Sequence, residues 1–328
     1  MASVADLVTE KYRLRALSIV GITIGLSFTL SLIAGPVLAS LFGVRGIFWI
    51  TGLLAVMGIL LVIFALPKIE NQTFQREAGT DTSQFGEILR DKQLLRLDLG
   101  VFILHAMLTA MFIVVPLALR DGAQLDVLDH WHVYLPVMLL SFVLMVPFII
   151  QAESRDRMKP IFAGAVATLA LVQIGFMNFQ EGFWVLFGLL LIFFTAFNLL
   201  EASLPSLVVK LAPADKKGTA SGVFSTSQFL GAAVGGALGG YFYQYYGYNG
   251  VFIFTTLIGA LWFIAAVTMQ KPLPLSIASV PLLDIAESEV EALKAKLMAY
   301  DGIYEVVVLP EESRIFFKVD RKVLNEET

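Results

Sequence analysis

The chain has 328 residues, 57% of them hydrophobic and 15% charged, with a mean hydropathy of +0.78. Soluble domains run near about 45–50% apolar and about 25% charged, so the surplus apolar surface has to face lipid. A net charge of −4 excludes a mainly electrostatic nucleic-acid binder, and the lack of cysteine excludes disulfides, thiolate nucleophiles and Cys-ligated metals. Three histidines leave little for a His-rich metal site, and no cofactor is expected.

Eight segments are long and apolar enough to cross a hydrocarbon core that takes about 20 helical residues. They cover 16–42, 46–67, 96–119, 132–151, 160–180, 183–209, 218–246 and 248–269. The run 218–270 carries no charge but is too long for one crossing, and the aromatic, Gly-rich stretch 245–250 breaks it into a helical hairpin. Fifteen Lys and Arg fall on the side of the N-terminus against two, Arg45 and Arg120, on the other, which places both chain ends in the cytoplasm. The polar segment 68–93 is a central cytoplasmic loop. Phe85, Ile88 and Leu89 near its end suit either the apolar face of a short interfacial helix or a linker without structure.

After Gln270 the composition turns charged, and Pro272 and Pro274 end the last helix. Val290, Leu293 and Leu297 follow helical spacing, whereas Ile315, Phe317 and Val319 alternate as in a strand. With strands at 304–309 and 276–283, residues 271–328 read β-α-β-β, half of a ferredoxin-like sandwich with an open edge. Such an edge invites pairing, including self-association.

An internal repeat relates positions 204 residues apart. Gly43-Val44-Arg45-Gly46-Ile47-Phe48 matches Gly247-Tyr248-Asn249-Gly250-Val251-Phe252, and Gly35, Thr51 and Leu53 match Gly239, Thr255 and Leu257. Parallel six-helix repeats are the architecture of major facilitator transporters. On that reading 1–67 holds the last two helices of an N-terminal half, 94–270 is a complete six-helix C-terminal half, and four helices would precede Met1.

Gly25, Gly35 and Pro36 resemble the Gly-Pro signature of the fifth helix in major facilitator antiporters, although ordinary small-residue packing also accounts for them. Glu153-Ser154-Arg155-Asp156-Arg157 resembles the C-half copy of the family's charged loop signature, to which Asp156 and Arg157 belong; a positive-inside loop accounts for it as well. FNLLEASLPSL over 197–207 and GTASGVFSTSQFLGAAVGG over 218–236, together with the tail, closely resemble the YajR-type major facilitators. The resemblance implies an all-α polytopic membrane protein of major facilitator type with a small α+β ferredoxin-like tail. It also implies an inner-membrane, proton-coupled transporter of a small molecule, working by alternating access as an efflux antiporter.

Ionisable groups at bilayer depth cost about 2.5–3.5 kcal/mol or more and mark functional sites by default. Glu201 lies in the sixth span, about 7 Å cytoplasmic of its midpoint, with Asn198 on its face and Pro205 one turn on. It reads either as a proton-coupling carboxyl or as a carboxylate reaching the cytoplasmic interface. His105, near the middle of the third span, is its relay partner on the first reading and a helix-to-helix hydrogen-bonding group on the other. Ser221, Ser225 and Gln228 form a polar face of the seventh span suited to lining a cavity, while Gly231, Gly235 and Gly239 recur every four residues as a packing stripe. Arg96 and Asp98 read as anchors at the cytoplasmic interface. No nucleophile with a base, His-Glu-x-x-His motif or filter loop is present, so the chain is not read as an enzyme or a channel. The rival to transport is a transport-incompetent remnant or a membrane sensor acting through its tail.

Overall fold

The computed structural model describes residues 10–65, 85–154, 157–213, 216–270, 276–281, 290–309 and 314–319. Most of the predicted central loop, Asp156 and residues 271–275, 282–289, 310–313 and 320–328 of the tail lie outside the described residues. The helices are α1 (Glu10–Ala65), α2 (Phe85–Ile88), α3 (Lys92–Gly122), α4 (Trp131–Ser154), α5 (Met158–Asn178), α6 (Phe183–Leu211) and α7 (Lys217–Val267). Six helices among the described residues are long and apolar enough to cross a membrane.

Two of these are broken once each. α1 departs from helical geometry at Gly43 (φ 67°, ψ 173°) and α7 at Gly247 (φ 63°, ψ −155°). Both values lie in a region open essentially to glycine alone. The two breaks are 204 residues apart, the offset of the sequence repeat, and the match extends to their flanks: a Cβ added at Gly46 would collide with Phe42, and one at Gly250 with Tyr246. In α7 the chain doubles back at the break, since the rings of Phe242 and Phe254 stack 4.9 Å apart although twelve residues of straight helix would separate them by about 18 Å. α1 runs in helical geometry through Gly35 and Pro36. Its bend therefore belongs to Gly43.

Gly247→Val is expected to destabilise the chain by about 1–3 kcal/mol, because a β-branched residue cannot hold that φ and ψ without strain. A lower thermal unfolding midpoint of the purified protein checks this; an unchanged midpoint would mean that another residue type tolerates the reversal.

The core lies between α3, α4, α5, α6 and both arms of α7. The first arm of α7 (217–246) runs parallel to α3 in close backbone contact. A Cβ at Gly231 would overlap the Phe102 carbonyl, one at Gly235 the Ala106 carbonyl, and one at Gly239 would stand 2.8 Å from the Ala110 Cα. Thr109 Oγ1 donates across this seam to the Ala232 carbonyl at 2.9 Å. The glycine stripe is therefore a packing surface, and it sets the register of α7 on α3. The second arm (248–267) lies on α5: a Cβ added at Gly259 would stand 3.1 Å from the Ala170 Cβ, Phe252 stacks on Phe176 at 5.5 Å, and Thr255 Oγ1 donates to the buried Gln173 Oε1. Trp262 reaches α3 only because Gly100 has no side chain there.

At one end of the bundle, Gly182 N–H donates to the Gly122 carbonyl, Gln180 Nε2 to Asn249 Oδ1, and Tyr248 Oη to Asp121 Oδ2 at 2.8 Å. At the opposite end α2 is a short helix of a single turn leading toward α3, with Ile88 buried in the core. Asp91 caps α3 by accepting from Gln93 N–H and Leu94 N–H, which satisfies two of its four free amides.

The tail forms β1 (Ser276–Pro281), α8 (Val290–Met298), β2 (Ile303–Leu309) and β3 (Arg314–Val319). The sheet order is β1-β3-β2, with β3 central and antiparallel to both neighbours. Among the described residues of the sheet Val306, Ile315 and Val319 are buried, in keeping with the alternation in the sequence.

Candidate functional site

Three helices bring their polar side chains together at membrane depth. α3 contributes His105, α6 contributes Glu201, and the first arm of α7 contributes Gln228. The Gln228 Nε2 amide donates to His105 Nε2 at 2.8 Å and to Glu201 Oε1 at 3.3 Å, spending both of its hydrogens. His105 Nε2 lies 3.8 Å from Glu201 Oε2. His105 Nδ1 stands 3.2 Å from the Val101 carbonyl, which can only accept, so Nδ1 carries the ring hydrogen and Nε2 is the acceptor that Gln228 requires. This bond pattern assigns a neutral imidazole. Turning the Gln228 amide over would present its oxygen to a protonated Nε2 instead, so the same three side chains suit both charge states of the ring.

The setting of this cluster is largely apolar. The His105 side chain is 13% exposed and touches the Phe197 ring edge-on at 5.9 Å; the Glu201 side chain is 38% exposed. Glu201 Oε2 is buried without a hydrogen-bond partner. An ionisable group with a buried oxygen left without a donor is costly in such surroundings and marks a candidate functional site. α6 continues through Pro205, which has no N–H to give to the Glu201 carbonyl, so acceptors concentrate on this turn.

The remaining predicted residues are placed as follows. Asn198 is buried, but its Nδ2 donates to Ser141 Oγ of α4 at 2.8 Å, so it ties α6 to α4 instead of facing the cluster. Ser221 is half-buried and Ser225 exposed, and among the described residues neither joins the cluster. Gly25, Gly35 and Pro36 lie in α1, where a Cβ at Gly35 would meet nothing within 4 Å. Arg157 precedes α5 and is exposed. Among the described residues no group of three His, Cys, Asp or Glu is placed to hold a metal.

Two features escape sequence reasoning. Gln228 is the bridge of the cluster and not only part of its wall, a role that depends on the α3–α7 register. Asp98 is not an interface anchor: the residue is 6% exposed and its Oδ2 is buried without a partner. The turn of α2, with Ile88 in the core, covers the end of the bundle where the sequence places the membrane boundary.

The site thus lies within a bundle that has broken helices and a glycine seam, and its few polar groups come from three of the helices. The Major Facilitator Superfamily profile matches residues 1–236, and the chain belongs to that superfamily. Within it the chain is of the YajR type: it is 39% identical over 326 residues to the inner membrane transport protein YajR of Escherichia coli, covering 99% of this chain and 71% of that relative. It is also 30% and 31% identical to uncharacterized transporters of two Buchnera aphidicola strains, covering 81% and 83% of this chain and 68% and 69% of theirs.

Proposed function

We propose that the protein is a proton-coupled secondary transporter of the inner membrane that exchanges a small molecule for protons by alternating access, with Glu201 as the proton-carrying group. The observation that carries this reading is the Glu201–Gln228–His105 cluster, where an unsatisfied carboxyl oxygen meets a neutral histidine across one amide. Three helices each supply one member. A proton on Glu201 therefore changes how they hold together.

In the resting arrangement Gln228 donates to both neighbours. Protonation of Glu201 removes its charge and frees the Gln228 amide to turn, so that its oxygen can accept from an acid hydrogen on Glu201 Oε1 or from a protonated His105. The helices are then held by a different set of bonds, which gives a proton-linked route to a second conformation. Release of the proton on the far side restores the first set.

The family architecture further suggests eight crossings, with α1 and α7 each contributing two, and both chain ends cytoplasmic. On this division 1–67 ends an N-terminal half, 68–93 links the halves, 94–270 is the C-terminal half, and 271–328 is a ferredoxin-like cytosolic domain. The test is uptake of labelled compounds into everted membrane vesicles with an acidic lumen. Accumulation of at least one compound that collapses on adding a protonophore is the expected result, and accumulation indifferent to the protonophore overturns the proton-coupled reading.

A further inference from the structure

Asp98 is the buried ionisable group that the Glu201 cluster does not use. It precedes His105 by seven residues of α3, which is two turns, so the two side chains share a face about 10.5 Å apart along the axis, with Asp98 on the cytoplasmic side. That face is the one turned to the first arm of α7. The glycine contacts pair Phe102 with Gly231 and Ala106 with Gly235, and the same register sets Ser227, half-buried, at the level of Asp98. Gln228 is the next residue.

The cytoplasmic exit from Asp98 is covered. Ile88, Leu94 and Leu97 are buried around the start of α3. α2 is pinned over this end by an ion pair between Glu87 and Lys216 at the start of α7, and Gln270 N–H donates to Gln93 Oε1. The charged and titratable groups nearest to Asp98 are few. Its own helix carries Lys92, exposed at its start, Arg96, half-buried, and His105; α2 carries Glu87, already paired; α6 carries Glu201 and, near its end, Lys210; α5 carries Lys159 near its start; and α7 beyond Lys217 carries none. Among the described residues none forms an ion pair with Asp98. A carboxyl kept for structure would be satisfied by donors, as Asp91 is, whereas the Oδ2 of Asp98 has none.

We propose that Asp98 is a second proton-carrying carboxyl group, which passes protons between the Glu201–Gln228–His105 cluster and cytoplasmic water. The inference rests on the reading of Glu201 as the proton-carrying group. Neutral Asp98 gives its proton through intervening water to Glu201 Oε2, leaving Asp98 as the carboxylate and Glu201 as the acid. When the end capped by α2 opens, Asp98 recovers a proton from cytoplasmic water. With that end closed, it separates the cluster from the cytoplasm and keeps the two sides from being joined by a continuous proton path.

The test follows carboxylic-acid bands by time-resolved infrared spectroscopy on the full chain in lipid after a pH jump. The Glu201 band is the one lost in Glu201→Gln. In Asp98→Asn the Glu201 band is expected to rise about tenfold more slowly with its titration midpoint unmoved, and Asp98→Glu restores the rate. An unaltered rate in Asp98→Asn, with the Glu201 band intact, overturns the proposal. So does a slowed rate that Asp98→Glu does not restore, which assigns Asp98 to packing. Isotope-labelled aspartate in the unsubstituted chain supplies the result without a variant: an aspartate acid band that changes ahead of the Glu201 band supports the relay, and none at any pH overturns it. If Glu201→Gln loses no band at all, the reading of the cluster itself falls, and the relay falls with it.

Discussion

Vesicles carrying Glu201→Gln are expected to exchange labelled substrate at close to the unsubstituted rate while losing about a hundredfold or more of the accumulation driven by a pH gradient. Glutamine keeps the length and planarity of the side chain and still accepts from the Gln228 amide through its own oxygen, so the three helices remain joined. What it lacks is a proton to take up and release. Exchange of substrate for substrate needs only that the helices move with substrate bound, whereas accumulation needs each cycle to carry a proton one way. Retained accumulation in Glu201→Gln would remove this carboxyl from coupling, and loss of both exchange and accumulation would mean that the side chain holds the fold or the substrate instead.

Gly235→Leu is expected to have the largest structural effect. A Cβ there already overlaps the Ala106 carbonyl, and no side-chain rotation relieves a contact with backbone. α3 and the first arm of α7 would have to separate, at a cost of about 3 kcal/mol, breaking the Thr109 to Ala232 hydrogen bond on the way. Gln228 lies seven residues earlier on the same side of that arm, so the cluster comes apart with the seam. Gly236 is the control: a Cβ there meets nothing within 4 Å, and Gly236→Ala is expected to be neutral or to stabilise the helix by up to about 1 kcal/mol. Thermal unfolding of the two purified variants checks the pair. Equal stability of both would show that the glycine row does not set the helix spacing.

The membrane helices were legible because lipid imposes a length and a composition that one strand of sequence displays by itself. The positions of the two breaks were legible for a different reason: glycines 204 residues apart recur in matching surroundings, and a backbone held at positive φ with ψ near 180° demands glycine. The glycine stripe 231, 235 and 239 was readable as packing by its spacing, but not its partner helix. The polar sites divide in the same way. Depth along a single helix marked His105 and Glu201, which are 3.8 Å apart. Gln228 as the bridge depends on the register between α3 and α7, and the Asn198 bond to Ser141 joins residues 57 apart in the chain; neither is a property of any one helix. Asp98 misled because hydropathy puts it at the end of a span, where charged residues ordinarily meet water. The short α2 turn covers that end. In the tail, alternation at Ile315, Phe317 and Val319 announced a strand, while its central place in the order β1-β3-β2 comes from pairing across the sheet.

The central claim is that movement of substrate and movement of protons are one process at the Glu201 cluster. The most direct measurement counts both in the same vesicles: protein reconstituted with a pH-sensitive dye trapped inside, with an accumulated compound added in labelled form. A dye signal in fixed proportion to compound moved is expected, present in the unsubstituted chain and absent in Glu201→Gln. Compound that moves against its gradient with no dye signal, or a dye signal that persists in Glu201→Gln, would contradict it.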